Sequence, residues 1–406
     1  MPAITTDGLI LVLNCGSSSI KFAVFDAAAD PLPRKPLWNG KVQGIGGPNP
    51  DFGETGVAPF PIELDPEHPY RGALRVIRKR LAARMEGRRV AAVAHRVVHG
   101  GSKYSQSVQV DQEVLDDLRS YVPLAPLHQP FALEAIEILL RDRPDIPQVA
   151  CFDTGFHHTI PKVERLLPLP YAAWQHGLRR YGFHGLSYAY MATALAERHG
   201  DAARGRTIVA HLGSGASLCA MRNLESVATT MGFSALDGLM MGTRTGALDP
   251  GALLYLLEVQ KLSPEEVGQV LYRRSGLLGI SGISSEPRVI VQHEQDEGEA
   301  GERARLALDL YVRRIVREIG AFAAVLDGLD MLAFTAGVGE HNDFIRGRVC
   351  AGLGFLGIRP EPDANAANAA VISSGDSRVL VAVEPTNEEW VAALEARAKL
   401  NRRTAA

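Results

Sequence analysis

The chain's 406 residues carry 43 basic and 46 acidic side chains for a formal charge of −3, with 46% hydrophobic residues. At about 100–200 residues per domain this length predicts two domains rather than one core. The balanced charge argues against nucleic acid or an acidic membrane surface as partner, and no stretch approaches the length needed to span a bilayer.

The first apolar run lacks an upstream basic region and a small-residue cleavage site, which points to the cytoplasm. Cys15, Cys151, Cys219 and Cys350 are scattered without a C-x-x-C pair, so buried reduced thiols are expected rather than disulfides or a zinc site. Leu9 to Leu13 reads as a strand, Asn14-Cys15-Gly16-Ser17-Ser18-Ser19 as a tight polar turn, and Ile20 to Phe25 as a second strand. Gly16, the three hydroxyls and Lys21 make that turn a candidate phosphate cradle, with an ordinary Ser-rich hairpin as the alternative. A strand rather than a helix follows it, which argues against a P-loop or a dinucleotide fingerprint.

Residues 44 to 69 are rich in Pro and Gly and read as an irregular connection. Beyond them, helix-period segments alternate with short apolar runs: helix over 74–85, strand over 90–94, helix over 131–140, strand over 149–152. Strand 208–212, a Gly/Ser turn at 213–217 and strand 218–221 echo the first hairpin, and two such hairpins point to related halves that grip a nucleotide. Helices over 187–198 and 304–326, strands over 331–334 and 379–383, and a final helix from about Glu389 complete an α/β protein.

Polar residues cluster where strands end. Arg96, in His95-Arg96-Val97-Val98-His99-Gly100-Gly101, suits recognition of a carboxylate or phosphate, as does Arg244 between Gly242 and Gly246. Asp153 is a candidate base, substrate orienter or metal contact, or else a cap, and His184 lies between glycines in Tyr181-Gly182-Phe183-His184-Gly185. Adjacent His157 and His158 diverge and lack a third ligand, so a zinc hydrolase is rejected. Thr335-Ala336-Gly337-Val338-Gly339-Glu340-His341 fits close approach of a nucleoside or phosphate. Pro385-Thr386-Asn387-Glu388 opens the last helix either as a cap or, through Glu388, as a Mg²⁺ contact.

In order along the chain stand N-x-G-S-S-S-x-K, H-R-x-x-H-G-G, P-L-H-x-P, F-D-T-x-F-H, Y-G-F-H-G, H-L-G-x-G-A-S, M-G-T-R-x-G, T-A-G-x-G-E and P-T-N-E. From about Leu9 to the final helix the chain closely resembles the acetate kinases. The resemblance implies a two-domain, duplicated actin-like (ribonuclease H-like) α/β fold with the active cleft between domains, and a homodimer. It places residues 1–153 plus 388–406 in an N-terminal domain and 154–387 in a nucleotide-binding and dimerisation domain.

By match to the family, Asp153, His184 and Arg244 would be catalytic, and Arg96 would bind the acid's carboxylate. Val98, Leu127, Phe183 and Ala235 would form the acyl pocket, with His128 close by. Ser17, Ser19, Lys21, His211, Leu212, Gly213, Ser214, Gly215, Glu286, Pro287, Arg288, Gly337, Val338, Gly339, Glu340 and His341 would meet the nucleotide. Asn14 and Glu388 would hold Mg²⁺, with Mn²⁺ as the alternative metal. ATP and acetate would exchange with ADP and acetyl phosphate. The chain departs from the family pattern at Ser214 and His341, where Asn is usual, and at Glu286-Pro287, which replaces an Asp-containing pair. It departs again at Ala235, where Pro is common, which would enlarge the acyl pocket. The alternatives are a propionate or butyrate kinase of the same fold and an actin-like nucleotide switch without an acyl substrate.

Overall fold

The computed structural model describes residues 8–404. The chain divides into two compact units, one running to Phe156 and resuming at Asn387, the other spanning His157–Thr386.

The first unit is built on an eight-stranded sheet of order β5-β4-β3-β2-β1-β6-β8-β7. Its strands are β1 Leu9–Cys15, β2 Ser19–Asp26, β3 Trp38–Gln43, β4 Asp51–Glu54, β5 Val57–Pro61, β6 Val90–Val97, β7 Val108–Gln109 and β8 Gln148–Phe152. Central β1 pairs antiparallel with β2 and parallel with β6. Its near-continuous apolar run is what a strand covered on both faces requires. Leu9, Leu11 and Leu13 join a core with the helix Pro69–Arg84, while the last helix, Glu388–Thr404, packs on β1, β6 and β8. Asn387 caps that last helix by accepting from the Trp390 amide at 3.0 Å.

The second unit carries a five-stranded sheet of order β11-β10-β9-β12-β13. These strands are β9 Arg206–Leu212, β10 Ala216–Arg222, β11 Glu225–Thr229, β12 Met331–Thr335 and β13 Leu380–Val383. The long helix Gly298–Leu326 lies against β9 and β10. The order β3-β2-β1-β6-β8 in the first sheet repeats here, antiparallel at the first two pairings and parallel at the last two. The duplicated half expected from the two Gly/Ser hairpins is therefore present strand for strand.

Three local expectations change. Residues 44–69 are not all irregular, because β4 and β5 form a hairpin closed at the two-residue Thr55–Gly56 loop. Gly56 takes the positive φ of 83° that such a loop demands. Phe52 and Phe60 pair across the hairpin at 5.5 Å, and Pro59 and Pro61 sit on the sheet's edge strand, where a missing N–H is tolerated. Secondly, β6 runs on to Val97, so Arg96 is a strand residue rather than part of the loop beyond. Thirdly, Ala336–His341, read from the sequence only as a segment for close approach, is a short helix. All four cysteines are free and buried.

Candidate active site

In the first unit, the parallel ends of β6 and β8 bring Arg96 and Asp153 together. Asp153 is 2% exposed and is placed by its own amide, which donates to Val97 O at 3.1 Å. Arg96 Nε donates to Asp153 Oδ1 at 3.0 Å and Nη2 to Oδ2 at 2.8 Å, a two-pronged grip. On its far side Nη1 lies 2.7 Å from Glu388 Oε2. Burial works against the Arg96 charge, but Asp153 and Glu388 more than offset it and hold the guanidinium protonated well above its ordinary range. Burial likewise pushes the Glu388 carboxyl up to about 7; Arg96 opposes that shift and Asp153 adds to it.

Asn14 stands across the first hairpin from Lys21, and the turn between them is closed by Gly16 N donating to Ser19 O at 2.8 Å. Ser17 and Lys21 are exposed and Ser19 half-buried, so these donors face outward. Val98, Leu127 and His128 are half-buried on the same unit. A residue the sequence reading passed over ties their segments together. Fully buried Gln129 accepts from His99 N at 3.1 Å and donates to His99 O at 3.0 Å. It occupies the unspecified position of P-L-H-x-P, so its motif gave the place but not the role.

In the second unit, His184 precedes the helix Gly185–His199 and adopts a left-handed φ of 60°, a strained conformation for a residue with a side chain. Its Nδ1 meets Ser217 Oγ at 2.8 Å, and the Tyr188 hydroxyl reaches the same Oγ at 2.6 Å. The His184 ring stacks on His211 at 4.1 Å, and His211 Nδ1 meets Ser187 Oγ at 2.8 Å. The turn joining β9 to β10 passes directly beside this pair. A Cβ on Gly215 would lie 3.0 Å from His184 Nε2 and 3.7 Å from Arg244 Nη1. Arg244 Nη1 donates to Ala235 O at 3.0 Å, and burial lowers the guanidinium's pKa. Among the described residues no carboxylate lies within ion-pair distance of Arg244.

A cavity of about 510 Å³ opens next to this cluster. It gathers Gly213, Ser214, Glu286, Pro287, Arg288, Gly337, Val338 and His341 from three separate segments, together with Thr243 and Asn342, which the sequence reading did not single out. Five neighbours stay out of its lining, Gly215 among them. His211 and Leu212 are buried strand residues, and Gly339 is buried in its helix. The Glu340 carboxylate is taken up by the backbone amides of Ala336 at 2.8 Å and Thr386 at 3.1 Å. Phe183 is buried, and its carbonyl lies 2.9 Å from Nε2 of buried His157, whose other ring nitrogen meets Ser226 Oγ.

Among the described residues no group of three or more His, Cys, Asp or Glu forms a cage for a metal ion. The oxygen donors Asn14, Asp153 and Glu388 in the first unit are of the kind Mg²⁺ uses, since that ion keeps waters and needs only one or two carboxylates beside substrate phosphates. The donor set fits Mg²⁺ and not zinc.

The model of the acetokinase family matches residues 9–394. An acetate kinase of Rhodopseudomonas palustris is 46% identical over 391 residues, covering 95% of this chain and 96% of that protein. The crystal structure of Porphyromonas gingivalis acetate kinase superposes with a TM-score of 0.85 at 37% identity, covering 96% of this chain and 99% of the other. A propionate kinase from Francisella tularensis gives a TM-score of 0.88 at 32% identity, with the same coverage.

Proposed function

The chain belongs to the acetokinase family, and from that premise we propose that it interconverts ATP and acetate with ADP and acetyl phosphate by direct, Mg²⁺-dependent in-line transfer. The observation that carries this reading is Arg244: a half-buried guanidinium without a carboxylate partner among the described residues, beside His184 and the Gly213–Gly215 turn at the cavity. Such a charge is suited to the equatorial oxygens of a phosphoryl group in flight.

A carboxylate oxygen of the acid attacks the γ-phosphorus. The new O–P bond forms as the bond to the bridging oxygen breaks, and the electron pair leaves on the β-phosphate of ADP. Acetate is already ionised at neutral pH, so no general base is needed. Arg96 holds the acid's carboxylate, and Asp153 fixes the guanidinium in place through its two-pronged grip rather than moving a proton. Ser17, Ser19 and Lys21 contact phosphate oxygens, and the 510 Å³ cavity takes the nucleoside. Asn14 and Glu388 hold Mg²⁺, whose charge offsets that of the phosphates. We assign the protein to the cytoplasm as a homodimer with its interface on residues 154–387, a reading that family resemblance supports.

A second reading, propionate as the preferred acid, rests on Ala235 in place of the usual proline, and one methylene is worth about 1–3 kcal/mol of discrimination. Both are tested with Mg²⁺-ATP and acetate, propionate, butyrate or glycerate, trapping acyl phosphate as hydroxamate. Highest kcat/KM with acetate supports the lead reading, a propionate optimum supports the second, and no product with any acid rejects both. Arg244→Ala is expected to lower kcat by about 10²–10³. A change confined to KM would remove Arg244 from the transition state.

A further inference from the structure

A neutral imidazole carries one proton, on either ring nitrogen, and only an N–H aimed at a phosphoryl oxygen can donate to it. His184 has its Nδ1 at 2.8 Å from Ser217 Oγ, and the Tyr188 hydroxyl reaches the same oxygen at 2.6 Å. Its Nε2 lies beside the β9–β10 turn, where a Cβ on Gly215 would meet it at 3.0 Å and Arg244 Nη1 at 3.7 Å. Which nitrogen holds the proton is therefore decided at Ser217.

Tyr188 stands one turn into the helix that His184 precedes, and Ser217 lies opposite His211 across the β9–β10 pair. Both hydroxyls are fully buried. A serine has one proton to give, so Ser217 donates to His184 or to Tyr188 but not to both. A phenol is more acidic than an alcohol and is the better donor of the two. Burial raises the Tyr188 pKa further, so the phenol keeps its proton. Donation from Tyr188 to Ser217 leaves the Ser217 proton for His184 Nδ1, and the ring's own proton then stands on Nε2.

The neighbouring ring repeats the arrangement with different residues. Thr386 Oγ1 donates to Ser187 Oγ at 2.9 Å, so the Ser187 proton is left for His211 Nδ1, 2.8 Å away. His211 Nε2 lies 3.8 Å from where a Cβ on Gly213 would stand. Each of the two stacked rings thus has a fully buried serine behind Nδ1 and a turn glycine before Nε2. Stacking at 4.1 Å opposes a charge on both rings at once, so fixed tautomers rather than double protonation must supply two N–H donors.

We propose that Tyr188 and Ser217 are positioning residues for phosphoryl transfer, a donor chain that holds the His184 proton on Nε2, beside Arg244 and the Gly213–Gly215 turn. The role in transfer rests on the kinase reading given above, whereas the tautomer can be read without turnover.

The test is ¹⁵N–¹H correlation spectroscopy of the full-length protein labelled on its histidine ring nitrogens, at a pH above the ordinary imidazole range. The His184 signals are those missing from His184→Gln. Wild type is expected to show a proton on Nε2 and a bare Nδ1. Ser217→Ala should mix the tautomers and lower kcat for acetyl phosphate formation about tenfold, the loss of one hydrogen bond, with KM for acetate and ATP little changed. Tyr188→Phe keeps the ring that packs on His157 and His211, and should move the His184 signals in the same direction. It keeps the test valid should Ser217→Ala not fold, and thermal midpoints show which variants are folded. A bare Nε2 in wild type overturns the proposal. So does a wild-type tautomer in the folded variants, even with a lowered kcat, since that would mark packing alone. The expected spectra without acyl phosphate from wild type would reject the kinase reading and still support the tautomer assignment.

Discussion

Glu388 is the residue whose protonation matters most. Its carboxyl sits at about 7 against an ordinary 4.5, with burial as the largest cause and Arg96 opposing. Between those values the folded protein holds a proton that the unfolded chain has released. Its contribution to stability is therefore complete below about 4.5, declines as pH rises towards about 7, and is level above. Three buried histidines act in the opposite sense. His95, His99 and His157 are each pushed down to about 4 by burial, so their contribution is lost as pH falls from 6.5 towards 4. The prediction therefore concerns a difference: the thermal midpoint of wild type minus that of Glu388→Gln should fall as pH rises from about 4.5 to about 7. Parallel curves would mean that Glu388 is ionised throughout. Arg96, Asp153 and Glu388 were each legible in the sequence as polar residues at strand or helix ends. Their union was not, because it depends on a parallel pairing of β6 with β8 and on a helix that begins far along the chain.

At the scale of elements, the β9–β10 turn leaves little room beside His184. A methyl group on Gly215 would press on His184 Nε2 at 3.0 Å, closer than ordinary contact, and His184 is already held in a strained backbone conformation. Gly215→Ala should then lower kcat by about 10²-fold through misplacement of catalytic groups. Its urea midpoint should move little. A matching loss of stability would show that the turn is structural first and catalytic second. Elements announced by strong apolar periodicity, such as β1 and the helix Gln129–Asp142, were readable to within a few residues. The β4–β5 hairpin was not, because its prolines and glycines signal irregular backbone. Only its position at the sheet's edge makes them compatible with a strand. Glu340 illustrates the limit on the functional side. It stands in a glycine-flanked motif, yet its carboxylate serves two backbone amides of its own unit.

For the molecule as a whole, the duplicated sheet order was foreshadowed only by two short hairpins, since strand order is a long-range property that a local pattern does not contain. The two units differ in continuity. His157–Thr386 is a single uninterrupted stretch, whereas the first unit draws its last helix from the other end of the chain. Calorimetry of a chain ending at Thr386 should retain the unfolding transition of the second unit and lose or greatly broaden that of the first. The deleted helix contributes buried Trp390 and Leu400, and losing large apolar groups of this kind costs about 2–5 kcal/mol each. An intact pair of transitions would show that the helix is dispensable.

That late helix also sets an order of events during synthesis. Everything from β1 to β8 has left the ribosome long before Glu388 is made, and the second unit has meanwhile been completed. Until the final residues emerge, Arg96 and Asp153 lack their third partner and the apolar face of β1, β6 and β8 is uncovered. The same short segment thus closes the core and delivers a site carboxylate. A prematurely terminated chain fails on both counts at once, and the fold has no truncated form in which this cluster could assemble.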